Sequence, residues 1–365
     1  MAANHSEQVS TYLPLHVIEI ILLNLPAKSL LRFKAVSKSW NTMISDPVFI
    51  RNHLHQSKAS NSQNLFLCKL IFRYNSKKFC LVKIDEDRIL RCLEALKSPR
   101  GFNTRVLCYC DGVLLFKSDE ETRSGVEFVL WNPSTRTQTI FRLPFELNTD
   151  LKCYGLCHDP RIGDFKAVVI FWNHYAVYSC KNKAWTRKKY FGDTFRVAYR
   201  PGVFVDGVVY WLKMEKKRRC KLTYFDPKDD EFKMRNDEHA IFGVQGPIYM
   251  IDFGGRLCMY YYEARDKVVH IWIKGKGLDN NSWKELITIE NVERFASDFV
   301  PMCFVENKIV VRLDGTTVVV YNPSEKTFEE FEDTTHYFDF LSAPYVESLI
   351  SPNTFFRPKR KRNCL

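Results

Sequence analysis

The pattern of apolar and polar residues divides the chain into a short helical region and a long region of strands. Residues 14–25 show no strand-like alternation, and this segment ends where Pro26 follows, which is typical of a helix end. Ser37 is suited to cap a third helix, and Asp46-Pro47 is a start signal for a fourth. The pattern therefore predicts four short helices within residues 11–56, joined by very short loops.

The first predicted helix is apolar on almost every side. Two stripes run along it, with Ile20 and Leu23 widening them: Val17, Ile21 and Leu25 in one, and Leu15, Ile18 and Leu22 in the other. A surface helix normally shows one apolar stripe, whereas a helix that is apolar all round is covered on all sides. About 45 residues of short helices are too few to supply that cover. The residues alone leave two equal alternatives, a partner protein or the rest of the same chain.

The remainder of the chain is a repeat of short strands and turns. Residues 57–64 are polar and predict a linker, after which β-branched and aromatic runs alternate with turns. Landmark aromatic residues recur at steps of 47, 47, 47 and 49, and one further step back reaches Ile84: Trp131, Tyr178, Phe225, Trp272 and Tyr321. About four strands in each repeat of this length predict an all-β, kelch-like β-propeller of about six blades, with the landmarks mostly in its core.

A closed ring of blades removes the exposed edges of the sheets. We therefore predict that the segment YVESLISP, residues 345–352, is a strand that pairs back with the first blade near residues 65–71. The propeller then spans residues 65–353. We expect residues 1–10 to form a flexible N-terminus and residues 354–365 a basic tail.

The distribution of charge along the chain limits the classes of partner that the protein can bind. The chain has 365 residues and a net charge of +12, and most of the surplus lies in two clusters at residues 213–221 and 357–365. A distributed phosphate-binding surface is not predicted, which argues against nucleic acid as the main partner. Lys216 to Arg219 are expected at an exposed hairpin tip that attracts acidic partners. A candidate nuclear import signal, with a solvated tail as the alternative, comprises Lys359, Arg360, Lys361 and Arg362.

The sequence offers little catalytic chemistry. No apolar run approaches the ~20 residues of a membrane span, and the N-terminus lacks secretory features, so we expect the cytoplasm, the nucleus or both. The twelve cysteines are then expected to be reduced.

Cys153, Cys157 and His158 are predicted to be packed strand residues and not metal ligands. We predict no catalytic residue, no metal site and no cofactor, and hence no enzyme.

Both regions resemble known families. The helical region resembles the F-box through Leu13-Pro14-x-x-Val17-Ile18-x-x-Ile21-Leu22-x-x-Leu25-Pro26-Ala27-Lys28-Ser29-Leu30-Leu31-Arg32-Phe33 and Val36-Ser37-Lys38-Ser39-Trp40. Leu15 and His16 stand where that family often has acidic residues. The strand region resembles the plant F-box-associated domain, often called degenerate kelch, through segments such as CDGVLLF (110–116), LWNPSTRTQTIFRLP (130–144) and YVESLISP (345–352).

The resemblance implies a small all-α F-box module at residues 11–56, followed by the propeller. It implies that the module binds a Skp-type adaptor and, through it, a cullin and a RING subunit. The expected adaptor-binding residues are Leu13, Pro14, Val17, Ile18, Ile21, Leu22, Leu25, Pro26 and Leu30. The propeller would hold a protein target for ubiquitination and degradation, through residues that the sequence does not identify. The alternative is an F-box protein that sequesters a partner outside a ligase.

Overall fold

The structure is a computed structural model. It describes residues 13–59, 65–70, 78–84, 90–97, 104–118, 125–144, 151–172, 174–189, 200–214, 220–234, 247–292, 299–313, 317–330 and 338–353. The helices form first along the chain, as predicted: α1 (Leu15–Leu23), α2 (Ala27–Phe33), α3 (Lys38–Ile44) and α4 (Pro47–Ala59).

The helix ends follow the sequence signals with one difference. Pro14 and Pro26 directly precede α1 and α2, and the Ser37 hydroxyl accepts a hydrogen bond from the Trp40 amide at 3.2 Å. The difference lies in α4, which continues through Ala59 into the segment predicted as a linker. No Gly or Pro interrupts the helix after Pro47, and its inward side is anchored by buried residues.

The described strands number twenty-four and fall into consecutive groups. In chain order they are β1 (Leu65–Leu70), β2 (Lys78–Ile84), β3 (Leu90–Lys97), β4 (Thr104–Cys110), β5 (Val113–Ser118), β6 (Val126–Asn132), β7 (Thr137–Leu143), β8 (Cys153–Asp159), β9 (Asp164–Ile170), β10 (His174–Ser179), β11 (Ala184–Lys189), β12 (Val203–Val205), β13 (Val208–Met214), β14 (Cys220–Asp226), β15 (Glu231–Met234), β16 (Ile248–Asp252), β17 (Leu257–Glu263), β18 (Val268–Lys274), β19 (Trp283–Ile289), β20 (Val300–Val305), β21 (Lys308–Leu313), β22 (Thr317–Asn322), β23 (Thr327–Glu330) and β24 (Phe338–Pro344).

These strands form six antiparallel sheets of four strands, which confirms the predicted six-bladed propeller. Blades 2 to 6 each use four consecutive strands, from β4–β7 to β20–β23. Blade 1 has the order β24-β1-β2-β3, so its innermost strand comes from the end of the chain. Inner strands of neighbouring blades contact one another, as β24 does β4 and β4 does β8. The blades therefore surround a common axis.

The repeat found in the sequence matches a repeat in the structure. Ile84 and all five landmark aromatics lie on the third strand of their blades. Trp131, Tyr178, Phe225 and Tyr321 are buried, and Trp272 is half-buried. Most of the landmarks thus belong to the core, as predicted, because the aromatic side chains fill the space that neighbouring blades share.

Ring closure occurs, but one segment earlier than predicted. The strand that pairs with β1 is β24, with Phe66 opposite Pro344 and Leu70 opposite Phe338. Residues 345–352 are not a strand. Only the Tyr345 amide extends the ladder, donating to the Leu65 carbonyl at 2.8 Å, after which the chain leaves blade 1.

We call residues 345–353 the C-terminal strap, because they cross from blade 1 to blade 2. The buried Asn132 amide at the end of β6 donates to the carbonyls of Ser348 (3.0 Å) and Ile350 (2.6 Å). Gly112 lies directly against the strap, and a Cβ there would stand 2.5 Å from the Val346 carbonyl oxygen. Its φ of 77° also favours glycine. These partners draw the strap away from β1, which explains why it forms no strand.

The strap also packs against the helical module. Leu349 and Ile350 belong to the same apolar cluster as Leu22 and Leu30 of the helices. The Glu347 carboxylate accepts a hydrogen bond from the Ala27 amide at 3.3 Å, at the start of α2. The chain itself therefore covers part of the surplus apolar surface of the helices, which was one of the two alternatives left open by the sequence.

We predict that Asn132→Ala destabilises the chain more than Asn322→Ala. Both residues end the third strand of a blade and accept a turn amide, but only Asn132 also bonds the strap. The Tyr345 hydroxyl of the strap also donates to Asn132 Oδ1 at 3.3 Å. Losing these three bonds should add about 3 kcal/mol to the loss of unfolding free energy. Denaturant unfolding of the two variants measures this difference, and equal losses would contradict a structural role for the strap.

Candidate functional site: the exposed face of the helical module

Helix α1 presents different sides to the core and to solvent. Leu22 is 1% exposed, and Ile18 packs against the same core one turn earlier. On the other side Ile20 and Ile21 are 58% and 48% exposed. Together with the half-buried Val17, they follow the i, i+3, i+4 spacing of a single helix face. We call Val17, Ile20 and Ile21 the α1 stripe.

The residues predicted to bind an adaptor fall into three groups by exposure. Leu13, Pro14, Ile21 and Pro26 are exposed; Val17, Ile18 and Leu25 are half-buried; Leu22 and Leu30 are buried. Leu22 and Leu30, at 1% and 0% exposure, fill the module's own core. They therefore support a surface from beneath instead of forming it, which differs from the sequence-based expectation. A helix apolar on two sides does not reveal which side the chain covers.

Four exposed apolar side chains were absent from the predicted set. They lie on or beside three of the four helices: Leu15, Ile20, Val36 and Val48. The spacing of Ile20 from Val17 was a usable signal, since residues three apart share a helix face. Val36 and Val48 lie near helix ends, where periodicity gives no assignment. The described module thus displays a discontinuous apolar surface that the propeller leaves uncovered.

The core beneath this surface contains a histidine. His53 of α4 is 1% exposed, and its Nε2 lies 2.9 Å from the Leu25 carbonyl oxygen. Because a carbonyl only accepts, Nε2 carries the hydrogen in this tautomer. Burial lowers the pKa of His53, and the hydrogen bond to Leu25 opposes that effect in part. His53 therefore ties α4 to the end of α1 in its neutral form.

We predict that acid loosens the helical module through His53. Its folded-state pKa lies below the value of about 6.5 expected in an unfolded chain. As the pH falls, the unfolded state therefore binds a proton before the folded state does. The contribution of neutral His53 to the free energy of unfolding is complete above about pH 6.5 and is lost as the pH falls from there through the folded-state pKa. Amide-exchange protection factors of residues 13–59 should drop between about pH 7.5 and pH 5.5.

His53→Gln keeps a donor for the Leu25 carbonyl but does not titrate, so it should flatten this dependence. His55→Gln changes an exposed histidine on the same helix and serves as the control. An unchanged pH dependence in His53→Gln would show that another group is responsible.

A second set of polar contacts joins the module to the propeller. Lys58 near the end of α4 donates to Asp111 Oδ1 at 2.5 Å, and His158 Nδ1 lies 2.9 Å from Asp111 Oδ2. Asp111 occupies the turn between β4 and β5 with a φ of 50°. Burial raises the pKa of Asp111, but Lys58 and His158 together hold it below its ordinary value. The carboxylate is thus ionised at neutral pH and anchors α4.

These contacts define two faces of the propeller. We call the face with the turns from inner to second strand, such as Asp111-Gly112, the proximal face, because the helical module contacts it. The opposite face, at which the inner strands begin, is the distal face. β13 ends and β14 begins at this face, where Met214 pairs with Cys220. Residues 215–219 themselves lie outside the described residues, so their prediction as an exposed tip stays a prediction.

The other candidate residues do not converge on a site. His158 stacks on Phe165 at a centroid distance of 4.6 Å, whereas Cys153 and Cys157 belong to a separate apolar cluster. In the described part of the chain, no three His, Cys, Asp or Glu side chains group as metal ligands, and no helix has the length and apolarity needed to cross a bilayer. Lys359 to Arg362 lie outside the described residues, so nuclear import stays a prediction.

The cysteines whose side chains the structure describes differ in their redox state. Eight buried cysteines are free thiols: Cys108, Cys110, Cys153, Cys157, Cys180, Cys220, Cys258 and Cys303. Cys80, in contrast, is disulfide-bonded, which corrects the expectation for this residue. The register of β1 and β2 sets Cys80 opposite Cys68. Strand pairing thus sets these two backbone positions opposite each other, which their separation in the sequence did not indicate.

Comparisons with known proteins identify both regions. Residues 11–52 match the F-box domain, and residues 63–352 match the F-box associated beta propeller domain. The F-box/kelch-repeat protein At3g23880 of Arabidopsis thaliana is 26% identical, over 93% of this chain and 96% of that protein. Two other Arabidopsis thaliana proteins are similar. The putative F-box protein At3g10240 is 28% identical over 77% of this chain and 72% of its own length, and F-box protein CPR1 is 25% identical over 86% and 83%.

Proposed function

Because the chain belongs to the family of plant F-box proteins with an F-box associated β-propeller domain, we propose that it is the substrate-recognition subunit of a Skp–cullin–F-box ubiquitin ligase. Proteins of this family are generally non-catalytic adaptors, and an F-box implies a Skp-type adaptor as partner. In the proposed function the helical module binds that adaptor. The propeller holds a target protein for ubiquitination and degradation.

The observation that carries the proposal is the α1 stripe. Isoleucine side chains that are about half exposed on one helix face are costly to leave in water, and burying one stabilises a complex by up to about 1.5–3 kcal/mol. The stripe points away from the core that holds Leu22. Leu13, Leu15 and Val36 add exposed apolar surface to the same module. An apolar partner helix is the simplest cover for such a surface.

The rigid junction supports the second half of the proposal. The strap and the pair Lys58–Asp111 fasten the module to the proximal face, which leaves the distal face pointing elsewhere. A target held on the distal face would keep a fixed direction relative to the adaptor. Catalysis would then arise from proximity, because a tethered target meets the ubiquitin-charged enzyme at a high effective concentration.

We predict that Ile20→Asp combined with Ile21→Asp abolishes binding to purified Skp-type adaptor, measured by calorimetry. A charge left unpaired in a desolvated interface costs about 3–5 kcal/mol. Both side chains are exposed in the free chain, so the fold should persist. Leu93→Asp is the matched control, because it places a charge at an exposed leucine of the propeller.

The control should bind the adaptor as the unaltered chain does. Full affinity in the double variant would remove the α1 stripe from the interface. Leu22→Asp is not a suitable probe, because Leu22 lies in the core and its loss would unfold the module.

The ligase function and the sequestration alternative predict different complexes. When the full-length chain is purified from cells, both adaptor and cullin should co-purify with it. Neither should co-purify with the double variant. Proteasome inhibition should then enrich the target in the complex. Recovery of adaptor without cullin would instead favour sequestration of a partner outside a ligase.

A further inference from the structure

A cavity of about 280 Å³ lies on the axis of the propeller. Inner strands and the residues preceding them form its wall, among them Val106, Phe204, Tyr249, Val300 and Pro344. The wall is largely apolar, and its charged side chains are Arg200, Arg312 and Asp252. Apolar walls with a few charged groups are typical of sites that bind a ligand.

The charged groups occupy opposite ends of the cavity. Arg200 precedes β12 and Arg312 stands near the end of β21, which places both towards the distal face. Asp252 ends β16 at the proximal face, where its Oδ1 accepts a hydrogen bond from the Gly255 amide at 2.8 Å. Burial raises the pKa of Asp252 to about 6, so it is still mostly ionised at neutral pH. The distal end is therefore the cationic end.

The Arg200 guanidinium is held in place by aromatic stacking. Its central carbon lies 4.0 Å from the centroid of the Tyr249 ring, and Tyr249 stacks in turn on Tyr260 at 5.0 Å and 14°. Among the described residues, no carboxylate forms an ion pair with Arg200. A guanidinium placed over a ring in this way keeps N–H groups available for a planar acceptor.

On these observations we propose that the distal end of this cavity binds a carboxylate in an acidic peptide segment of the target, with Arg200 as its principal contact. This inference rests on the proposed function, because it assigns a chemistry to the target. An arginine binds a carboxylate through two parallel N–H···O bonds, which gives both affinity and orientation. The apolar wall would receive a neighbouring apolar side chain of the same segment.

Two further features favour an acidic peptide. The cavity volume is near the lower end for small-molecule sites, so it admits one or two side chains of a segment whose remainder lies on the distal face. The sequence also has a basic cluster between β13 and β14, in residues outside the described part of the chain: Lys216, Lys217, Arg218 and Arg219, with Glu215. Such a charge cluster would speed the approach of an acidic partner.

The test uses fluorescein-labelled pools of synthetic peptides and the full-length chain. One pool contains three adjacent Asp or Glu residues among randomised apolar and neutral positions. The matched pool has Asn or Gln in their place. Each pool is made with a free and with an amidated C-terminus, so that side-chain and terminal carboxylates are distinguished. Fluorescence anisotropy should show tighter binding of the acidic pool, which weakens as salt is raised.

Arg200→Gln should weaken binding of the acidic pool roughly ten- to a hundredfold, as expected for losing a charge-assisted pair. Arg200→Lys keeps the positive charge but loses the planar guanidinium. Its affinity for the acidic pool should therefore lie between those of the unaltered chain and Arg200→Gln. Arg187→Gln is the matched control, because it removes an exposed arginine from the outer strand of blade 3. It should leave the affinity unchanged.

Equal binding of the acidic and neutral pools would overturn the proposal. So would an affinity that Arg200→Gln leaves unaltered, or one that Arg187→Gln reduces to the same extent. Adaptor binding, measured separately, distinguishes this failure from failure of the proposed function. A chain that binds acidic peptides but no adaptor would contradict the ligase role and leave the cavity assignment intact.

Discussion

Closure of the ring is the constraint on which the rest of this structure depends. A single blade cannot bury both of its faces, so each one is stable only between two neighbours. The last edge is removed when β24 pairs with β1 and becomes the inner strand of blade 1. The chain must therefore return to its starting blade after it has passed through the five others. The pairing of β24 with β1 therefore sets the position of residues 345–353, which follow β24.

The return also decides where the helical module sits. On leaving β24, the strap is held by Asn132 and presents Glu347, Leu349 and Ile350 to the helices. Closure of the propeller and docking of the module thus share one segment of chain. A change that loosens the strap is transmitted to both, although it lies far along the sequence from the helices. This coupling gives the module a fixed orientation on the proximal face.

Fixed orientation gives the two faces of the propeller different roles. The proximal face is occupied by the module through the buried carboxylate of Asp111 and through the strap. The distal face carries the cationic end of the axial cavity, where Arg200 rests on Tyr249. An adaptor on the α1 stripe and a target on the distal face would not compete for the same surface. The architecture therefore suits a protein that connects two partners.

Local patterns in the sequence determined the elements. Proline and serine signals marked the helix starts, and the 47-residue steps from Trp131 to Tyr178 and on to Phe225 marked the third strands and hence six blades. These signals depend only on neighbouring residues and on the period. The tertiary structure decided contacts between distant residues. These include the choice of β24 over residues 345–352 as the closing strand, the burial of Leu22 while Ile21 stays exposed, and the stacking of Arg200 on Tyr249. Each of these contacts depends on which surfaces lie against one another in the closed ring. A single sequence does not show directly which residues far apart along the chain will be in contact.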